Sequence, residues 1–462
     1  MRLFMYILFI TFSFVQLAFG QQVLQVPAIA DVDTLHGAVE FANNSVEVEV
    51  IELTTSGGLY LTQEHTVMKI YKPLTIRAAA GLAEKPIIQN TKPEASTRIL
   101  FEIMDGGSLT LIGLELDGLA GTETNAKYLI RTDDDPQEGA TGISVSNPYK
   151  LEVFDCYLHD VVKGSDGNFF RAYKYTFADS VIFRNCLFYN CGKEGIRLKE
   201  YYDMPGTGFY QAMYVELSNC TFWNTNREAI VVYAGDNEPL TPAPKVFVNH
   251  CTFYNCGYDN SRVINAWDCD GTEIKNSIIS HSPNNEFGVK LYGETSIIHH
   301  CDVFNIGAFK MSRNAQIGDG MLYVDPMYTN VWNADFTLSE ASPVLAMADD
   351  GTAMGDPRWD PNYTNVTSKD ISAMSTHYAL DQNYPNPFNH STTILISMPI
   401  LEHVDIKIFN IIGKEIDTIF SGKLDPGQNI FQWDANDLPT GIYYCQLKLM
   451  NFTKSIKMLL LR

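Results

Sequence analysis

The sequence of 462 residues predicts an all-β chain, in which a right-handed parallel β-helix with an N-terminal capping helix precedes a small immunoglobulin-like β-sandwich. Three observations support this prediction. A six-residue phrase recurs every 24–34 residues in the central region, and the residues inside each phrase alternate with strand periodicity. Six short β-like runs separated by turn residues end the chain. Helical periodicity is absent from the repeats, so strand-based coils are favoured over helical ones.

The repeated phrase combines a polar residue, a small residue and a closing asparagine in most copies. Equivalent residues of successive coils would stack in columns about 4.8 Å apart. We therefore expect a side-chain amide ladder where asparagine closes the phrase. The six copies begin at Asp155, Asn185, Asn219, His250, Asn276 and His300.

The nine cysteines leave two interpretations open. Disulfides are common in exported proteins, but the number is odd and most of the cysteines recur at one place in the repeat. A column of small, inward-facing thiols explains the recurrence without any disulfide, and we favour it. No Cys-x2-Cys pair is present, which argues against a metal site. The cysteines in repeat columns are Cys156, Cys186, Cys220, Cys251 and Cys301, with Cys191 and Cys256 in a second set.

Charge and the N-terminal residues predict an exported protein. A net charge of −21 argues against nucleic-acid binding, because phosphate neutralisation needs clustered lysine and arginine. Residues 1–20 have the pattern of a secretory signal, with Arg2, an apolar run and small residues before Gln21. A membrane anchor is the alternative, but the apolar run is short for a bilayer. We expect no transmembrane segment in the mature chain.

The domain boundaries follow from these patterns. Residues 21–358 are predicted to form the β-helix, and residues 33–44 have the apolar spacing of a helix that would cover its open end. Residues 359–378 are poor in apolar side chains and are predicted to be a linker. Residues 379–462 are predicted to form the β-sandwich.

The final domain resembles the C-terminal sorting domain of the type IX secretion system. The resemblance implies translocation across the outer membrane by that machinery, and a location in the medium or on the cell surface. A generic immunoglobulin-like adhesion module is the alternative. The matching segments are residues 382–389, 408–413, 433–434, 441–444 and 454–461.

One face of the predicted β-helix combines cations with aromatic rings. When the coils are aligned, apolar residues point inward and the residues between them point outward. Cations bind carboxylates or sulfates, and rings stack on sugars, so this stripe predicts an anionic polysaccharide as partner. A solvated sheet face with ordinary β-favouring aromatics is the alternative. The candidate substrate-binding residues are Arg171, Tyr173, Asn265, Trp267, Lys290 and Tyr292, and Arg197, Lys199, Val231 and Tyr233 complete the stripe.

The coil over residues 185–199 resembles the chondroitinase B and alginate lyase family of β-helix polysaccharide lyases. The resemblance rests on an asparagine–phenylalanine phrase followed by Glu194 and Lys199 in a Glu-x4-Lys spacing. It implies that Lys199 is the base that removes the proton α to a uronate carboxylate. It also implies that Glu194 is a ligand of a calcium ion that neutralises this carboxylate. The family's arginine one coil further on falls at Tyr233, which becomes the candidate acid.

Two other functions remain open. A hydrolase would need two facing carboxylates about 5–10 Å apart, and Asp268 and Asp270 are the candidates. A non-catalytic module could bind a glycan or a protein through the same stripe. For the lyase, Lys199 must lose its proton near neutral pH, which Arg197 would favour and Glu194 and Glu200 would oppose. We expect an exported β-helix that acts on or binds an anionic polysaccharide as a divergent lyase.

Overall fold

The structure is a computed structural model that separates into two compact units, Met1–Thr364 and Asn365–Arg462. Strands are numbered along the chain. The structure describes residues 13–16, 22–30, 33–61, 67–89, 99–118, 126–133, 148–161, 167–173, 176–199, 212–233, 244–257, 261–267, 269, 271–331, 334–363, 379–380, 382–383, 385–398, 402–424, 427–435, 438–449 and 453–461.

The first unit is a parallel β-helix, and its first face is a sheet of 12 strands. Apart from the antiparallel pair of the first two strands, every neighbour in this sheet is parallel. In sheet order the strands are β1 (Ser13–Gln16), β2 (Gln22–Val26), β3 (Val48–Leu53), β6 (Pro73–Ala78), β9 (Ser108–Ile112), β12 (Tyr149–Phe154), β15 (Ala178–Arg184), β18 (Ala212–Ser218), β21 (Lys245–Asn249), β24 (Glu273–Lys275), β26 (Ile297–His299) and β28 (Gln316–Ile317).

The second and third faces are two stacks of strands that the long strands β25 (Ile278–Tyr292) and β27 (Asp302–Ser312) join, because each runs through both faces. The other strands of the second face are β4 (Leu59–Leu61), β7 (Ile87–Gln89), β10 (Glu115–Asp117), β13 (Tyr157–His159), β16 (Leu187–Cys191), β19 (Thr221–Thr225) and β22 (Thr252–Cys256). The other strands of the third face are β5 (Met68–Ile70), β8 (Ile99–Ile103), β11 (Tyr128–Thr132), β14 (Asn168–Arg171), β17 (Ile196–Leu198), β20 (Ile230–Tyr233) and β23 (Arg262–Trp267).

Helix α1 (Thr34–Asn44) packs against β2, β3, β4 and β5, as expected for a capping helix. The Asp33 side chain accepts a hydrogen bond of 3.1 Å from the backbone N–H of His36, which satisfies one free donor of the first turn. Leu35, Ala38 and Val39 are buried at helical spacing against the coils. No helix among the described residues is long and apolar enough to cross a membrane.

The interior of the β-helix contains stacked phenylalanine rings and cysteines. Phe188 and Phe222 stack with their ring centroids 4.1 Å apart, and Phe253 continues the stack at 5.3 Å. The column cysteines are buried free thiols, which confirms the predicted thiol column: Cys156, Cys186, Cys220, Cys251 and Cys301. Strands β9 and β10 follow each other closely and are separated by Gly113, which turns the chain with φ of +71°.

An asparagine ladder runs along the second face, through β16, β19 and β22. The side-chain amide of Asn190 donates to Asp160 at 2.8 Å, Asn224 donates to Asn190 at 3.3 Å, and Asn255 donates to Asn224 at 2.8 Å. These residues have φ between 51° and 57°, a left-handed conformation that asparagine and aspartate adopt more easily than other side chains. The ladder predicted from the repeat is therefore present.

The last part of the first unit packs on the second face. It contains the antiparallel pair β29 (Tyr328–Asn330) and β30 (Asp335–Leu338), and a 3-10 helix over Pro357–Trp359. The ring of Phe336 packs against Trp223 and Tyr254, and the indole N–H of Trp359 donates to the Thr221 hydroxyl at 2.7 Å. Trp359, where the linker was predicted to begin, is thus attached to the β-helix.

The second unit is a small sandwich of two antiparallel sheets. The three-stranded sheet has the order β31 (Ala379–Leu380), β32 (Ser391–Met398) and β35 (Gly427–Asp434). The four-stranded sheet has the order β34 (Glu415–Leu424), β33 (Glu402–Asn410), β36 (Gly441–Lys448) and β37 (Thr453–Leu460). Its core includes Trp433, Tyr443 and Cys445. With the parallel coils of the first unit, this arrangement confirms the predicted fold class.

Candidate functional site

The predicted stripe lies on the third face in the expected register. Arg171 pairs with Arg197, Arg197 with Val231, Val231 with Asn265, and Asn265 with Lys290. In the neighbouring row, Tyr233 pairs with Trp267. The first row extends beyond the predicted residues, to Arg131, Glu102 and Lys69 on one side and to Lys310 on the other.

The middle of the stripe is buried. Val231 is fully buried, Asn265 is 5% exposed and Tyr233 is 8% exposed. The residues on either side, among them Arg197 and Lys290, are half-buried. The stripe therefore presents two separate groups of polar side chains to ligands, where the sequence predicted one continuous face.

Arg171 and Tyr173 form the start of the first group. The guanidinium of Arg171 donates to the Tyr128 hydroxyl at 2.8 Å and lies 4.5 Å from the centroid of the Tyr173 ring. Arg131 also lies over the Tyr173 ring, at 5.2 Å, and pairs with the buried Glu102. Arg171 is therefore held by a directional hydrogen bond as well as by its contact with the Tyr173 ring.

Glu194 lies at the corner between β16 and β17 and is fully buried. Its Oε1 is 2.7 Å from Nη1 of Arg197 and 3.6 Å from Nη1 of Arg227 in the next coil. Asn168 of the preceding coil donates to its backbone oxygen at 2.5 Å and to its Oε2 at 3.4 Å. Burial alone would raise the pKa of Glu194, but Arg197 and Lys193 outweigh it and leave this pKa below its ordinary value.

The coil that follows repeats this arrangement. Glu228 is 2% exposed, and its carboxylate lies 3.9 Å from the guanidinium of Arg262. The backbone N–H of Gly195 donates to the Glu228 carbonyl at 2.8 Å. A Cβ on Gly195 would lie 2.5 Å from the Ala229 carbonyl oxygen, so only glycine permits this approach of the two coils. Glu194 and Glu228 therefore form a buried carboxylate column with arginines around it.

Lys199 is half-buried at the end of β17. Burial lowers the pKa of Lys199, and Arg197 and Arg227 lower it too, while Glu228 and Glu194 act in the opposite direction. The register of Leu198 with Val232 places Lys199 beside Tyr233 of the next coil. A lysine with a lowered pKa has a larger neutral fraction at a given pH, which is what a base requires. We call Arg171, Tyr173, Arg197, Lys199 and Arg227 the arginine patch.

The second group lies at the other end of the stripe. The ammonium of Lys290 lies 3.2 Å from the centroid of the Trp267 ring, and that of Lys310 lies 5.7 Å from it. The rings of Trp267 and Tyr292 are tilted, with centroids 5.3 Å apart, and Arg313 lies 4.7 Å from the Tyr292 ring. Lys290 covers one face of the indole, so that face cannot also stack on a sugar. We call Trp267, Lys290, Tyr292, Lys310 and Arg313 the tryptophan patch.

The residues around Glu194 do not fit the expected calcium ion. Calcium takes six to eight oxygen ligands, whereas the Glu194 carboxylate is engaged by two arginines. Asn168 Oδ1 and Glu228 Oε2 are buried acceptors without a described hydrogen-bond partner, and they supply only two further oxygens. Among described residues, one group of histidine and carboxylate side chains lies close enough to share an ion, and it sits at the ends of β10 and β13: Asp117, His159 and Asp160.

Sequence reasoning identified Glu194, Arg197 and Lys199 but missed Asn168, Arg227 and Glu228. A signal was present, because Lys193-Glu194-Gly195-Ile196 recurs as Arg227-Glu228-Ala229-Ile230, 34 residues later. Lys310 and Arg313, which follow the last copy of the repeated phrase, were also missed. Asp268 and Asp270, the hydrolase candidates, and Glu200 lie outside the described residues.

The C-terminal unit has a known relative. Residues 382–461 match the family model described as a secretion system C-terminal sorting domain. The chain is exported by type IX secretion. Its destination is therefore the cell surface or the medium, as the sequence predicted. Residues 246–359, which include the tryptophan patch, match a domain of unknown function, DUF5123. No curated protein matches the chain.

Solved structures show weaker similarities. The PL6 family alginate lyase AlyGC is 20% identical over 67% of this chain, with a TM-score of 0.43. An arginine mutant of the same lyase is 21% identical over 66% of this chain, with a TM-score of 0.45. The chain spans 40% of the length of each. The enzymatically active domain of bacteriophage CBA120 tailspike protein 4 is 9% identical, with a TM-score of 0.26, over 96% of this chain and 68% of its own.

Proposed function

We propose that the third face binds a uronate-containing polysaccharide and that the protein is a divergent polysaccharide lyase. One observation carries the proposal. Buried Glu194 holds the guanidinium groups of Arg197 and Arg227 beside Lys199, whose pKa is lowered. Guanidinium groups form paired hydrogen bonds with carboxylates. A nearby lysine that is partly unprotonated can remove a proton. This combination lies on a chain of net charge −21, so the cations are concentrated locally.

The proposed reaction is a β-elimination. The uronate carboxylate pairs with the guanidinium groups, which stabilise the charge that develops when the adjacent C–H bond breaks. Neutral Lys199 takes that proton through Nζ. The electron pair of the broken C–H bond forms a double bond to the adjacent ring carbon. The glycosidic C–O bond at that adjacent carbon breaks. Tyr233, next to Lys199, donates its hydroxyl proton to the leaving oxygen.

The test is incubation of the purified chain with alginate and with chondroitin-type polymers. Elimination produces an unsaturated uronate, so we expect new ultraviolet absorbance with the wild type and none with Lys199→Ala. Tyr233→Phe should retain binding and lose most of the turnover. Reducing sugar without new absorbance would identify a hydrolase instead.

A non-catalytic glycan-binding module is the second candidate. Tyr233 is 8% exposed, which restricts its access to a leaving oxygen. Calorimetric titration with uronate oligosaccharides separates the two candidates. Binding without any product from the wild type would support the module and contradict the lyase.

A further inference from the structure

We propose that the arginine patch binds the substrate carboxylate without a metal ion, and that Glu194 is a positioning residue for Arg197 and Arg227. This inference rests on the proposed function and concerns how the same site recognises its ligand. It assigns to two guanidinium groups the charge neutralisation that the sequence resemblance assigned to calcium.

The first support is the geometry of Glu194. A fully buried carboxylate is stable only when it is paired, because removing it from water costs several kcal/mol. The two arginines come from different coils and meet at the same oxygen, Oε1. Glu194 therefore fixes the spacing of two guanidinium groups that are 30 residues apart in sequence, Arg197 and Arg227.

The second support is the local charge. Among the described residues around this corner, the cationic side chains outnumber the buried carboxylates Glu194 and Glu228. An arriving calcium ion would meet an excess of positive charge, whereas an arriving carboxylate would reduce it. The cations are Lys193, Arg197, Lys199, Arg227 and Arg262.

The third support is the donor capacity of Arg227. Its side chain is 40% exposed, although its Nε is buried and donates to no described acceptor. A guanidinium has five N–H donors in a planar fork, and the 3.6 Å contact with Glu194 does not occupy that fork. Arg227 can thus hold Glu194 on one side and accommodate a carboxylate on another.

Binding of an alginate oligosaccharide by calorimetry tests the inference, with EDTA in one series and added calcium in the other. We expect the same affinity in both. Arg227→Ala should weaken binding about tenfold or more, because it removes a charge-assisted hydrogen bond. Arg227→Lys should recover only part of this, since it keeps the charge and loses the fork. The matched control is Arg77→Ala, which removes an arginine that pairs with Glu52 on the first face.

Glu194→Gln tests positioning. It should weaken binding and should also shift the pH profile of Lys199 labelling by an amine-reactive reagent to lower pH, because Glu194 raises the pKa of Lys199. Wild-type affinity in the folded variant would contradict the positioning role. If this variant does not fold, the Arg227→Ala titration still tests the inference, because the Arg227 side chain is partly exposed. Binding that requires calcium, or an Arg227→Ala variant with wild-type affinity, would overturn the inference alone. Absence of binding to any uronate polymer would overturn the proposed function, and this inference with it.

Discussion

The two patches of the third face hold cations in different ways. In the arginine patch, Arg197 and Arg227 are held by the buried carboxylate of Glu194. In the tryptophan patch, Lys290 and Lys310 lie over the Trp267 ring. An ion pair fixes a cation by charge and geometry, whereas a ring attracts it through a weaker and less directional interaction. We therefore expect the arginine patch to fix the orientation of a bound carboxylate. We expect the tryptophan patch to attract anionic ligands without fixing their orientation.

The largest expected effect belongs to Lys199. Replacing it with alanine should lower turnover by about 100- to 10,000-fold, the usual contribution of a general base, while oligosaccharide affinity falls only a few-fold. Lys245→Ala is the matched control, because this lysine lies exposed on the first face. Single-turnover kinetics with the two variants measures the effect. Equal loss of affinity and turnover in Lys199→Ala would assign this lysine to binding.

Arg197→Ala should produce the next largest effect. It removes a charge-assisted donor, and binding of a uronate oligosaccharide should weaken by roughly 1.5–3 kcal/mol. The loss should shrink as salt rises, because salt screens the attraction between this guanidinium and a ligand that arrives from solvent, over about 8–10 Å. Titrations at two salt concentrations measure both quantities. A salt-independent loss would remove the distinction between the patches.

Trp267→Ala should have a smaller effect. It removes the ring beneath Lys290, a contact worth about 0.5–2 kcal/mol, and leaves the lysine charges in place. We therefore expect a modest loss of affinity that depends little on salt. Lys290→Met removes the charge and keeps much of the side-chain length. Its loss of affinity should shrink as salt rises. If both variants responded to salt as Arg197→Ala does, the tryptophan patch would be a second ionic site.

The smallest expected effect is on the pH dependence of the free energy of unfolding, when Glu194→Gln is compared with the wild type. The pKa of folded Glu194 lies below its ordinary value, so its pairing stabilises the fold above the unfolded pKa of about 4.3 and this contribution is lost as pH falls through the folded pKa. Urea unfolding between pH 7 and pH 3 should show a steeper acid loss for the wild type than for Glu194→Gln. Trp267→Ala, with no carboxylate in its patch, should keep the wild-type slope. Parallel curves for all three proteins would contradict the role of Glu194.

Repeat periodicity predicted most of the fold, because residues at the same position of successive phrases stack in one column. The register from Arg171 through Lys290 followed directly from the alignment of the coils. Contacts at corners were harder to predict. Asn168 and Arg227 reach Glu194 from coils 26 and 33 residues away, where insertions change the coil length.

Contacts made by long side chains were also hard to predict from the sequence. Strand register places the backbone of Lys290 next to Asn265, but its ammonium bends to the Trp267 ring. The attachment of Trp359 through Thr221 was also not predicted, since the surrounding sequence is polar and rich in turn residues. In both cases local composition does not specify the partner, which comes from a distant part of the chain.

The thiol column has a practical consequence for the study of unfolding. Burial raises the pKa of Cys256 and of Cys301 to about 12, so these thiols hardly react with alkylating reagents while their coils are closed. Solenoids open in segments because each coil contacts mainly its neighbours. Cys156, Cys186, Cys220, Cys251 and Cys301 lie in five different coils. Their individual alkylation rates in the native protein would therefore report, coil by coil, which part of the β-helix opens first.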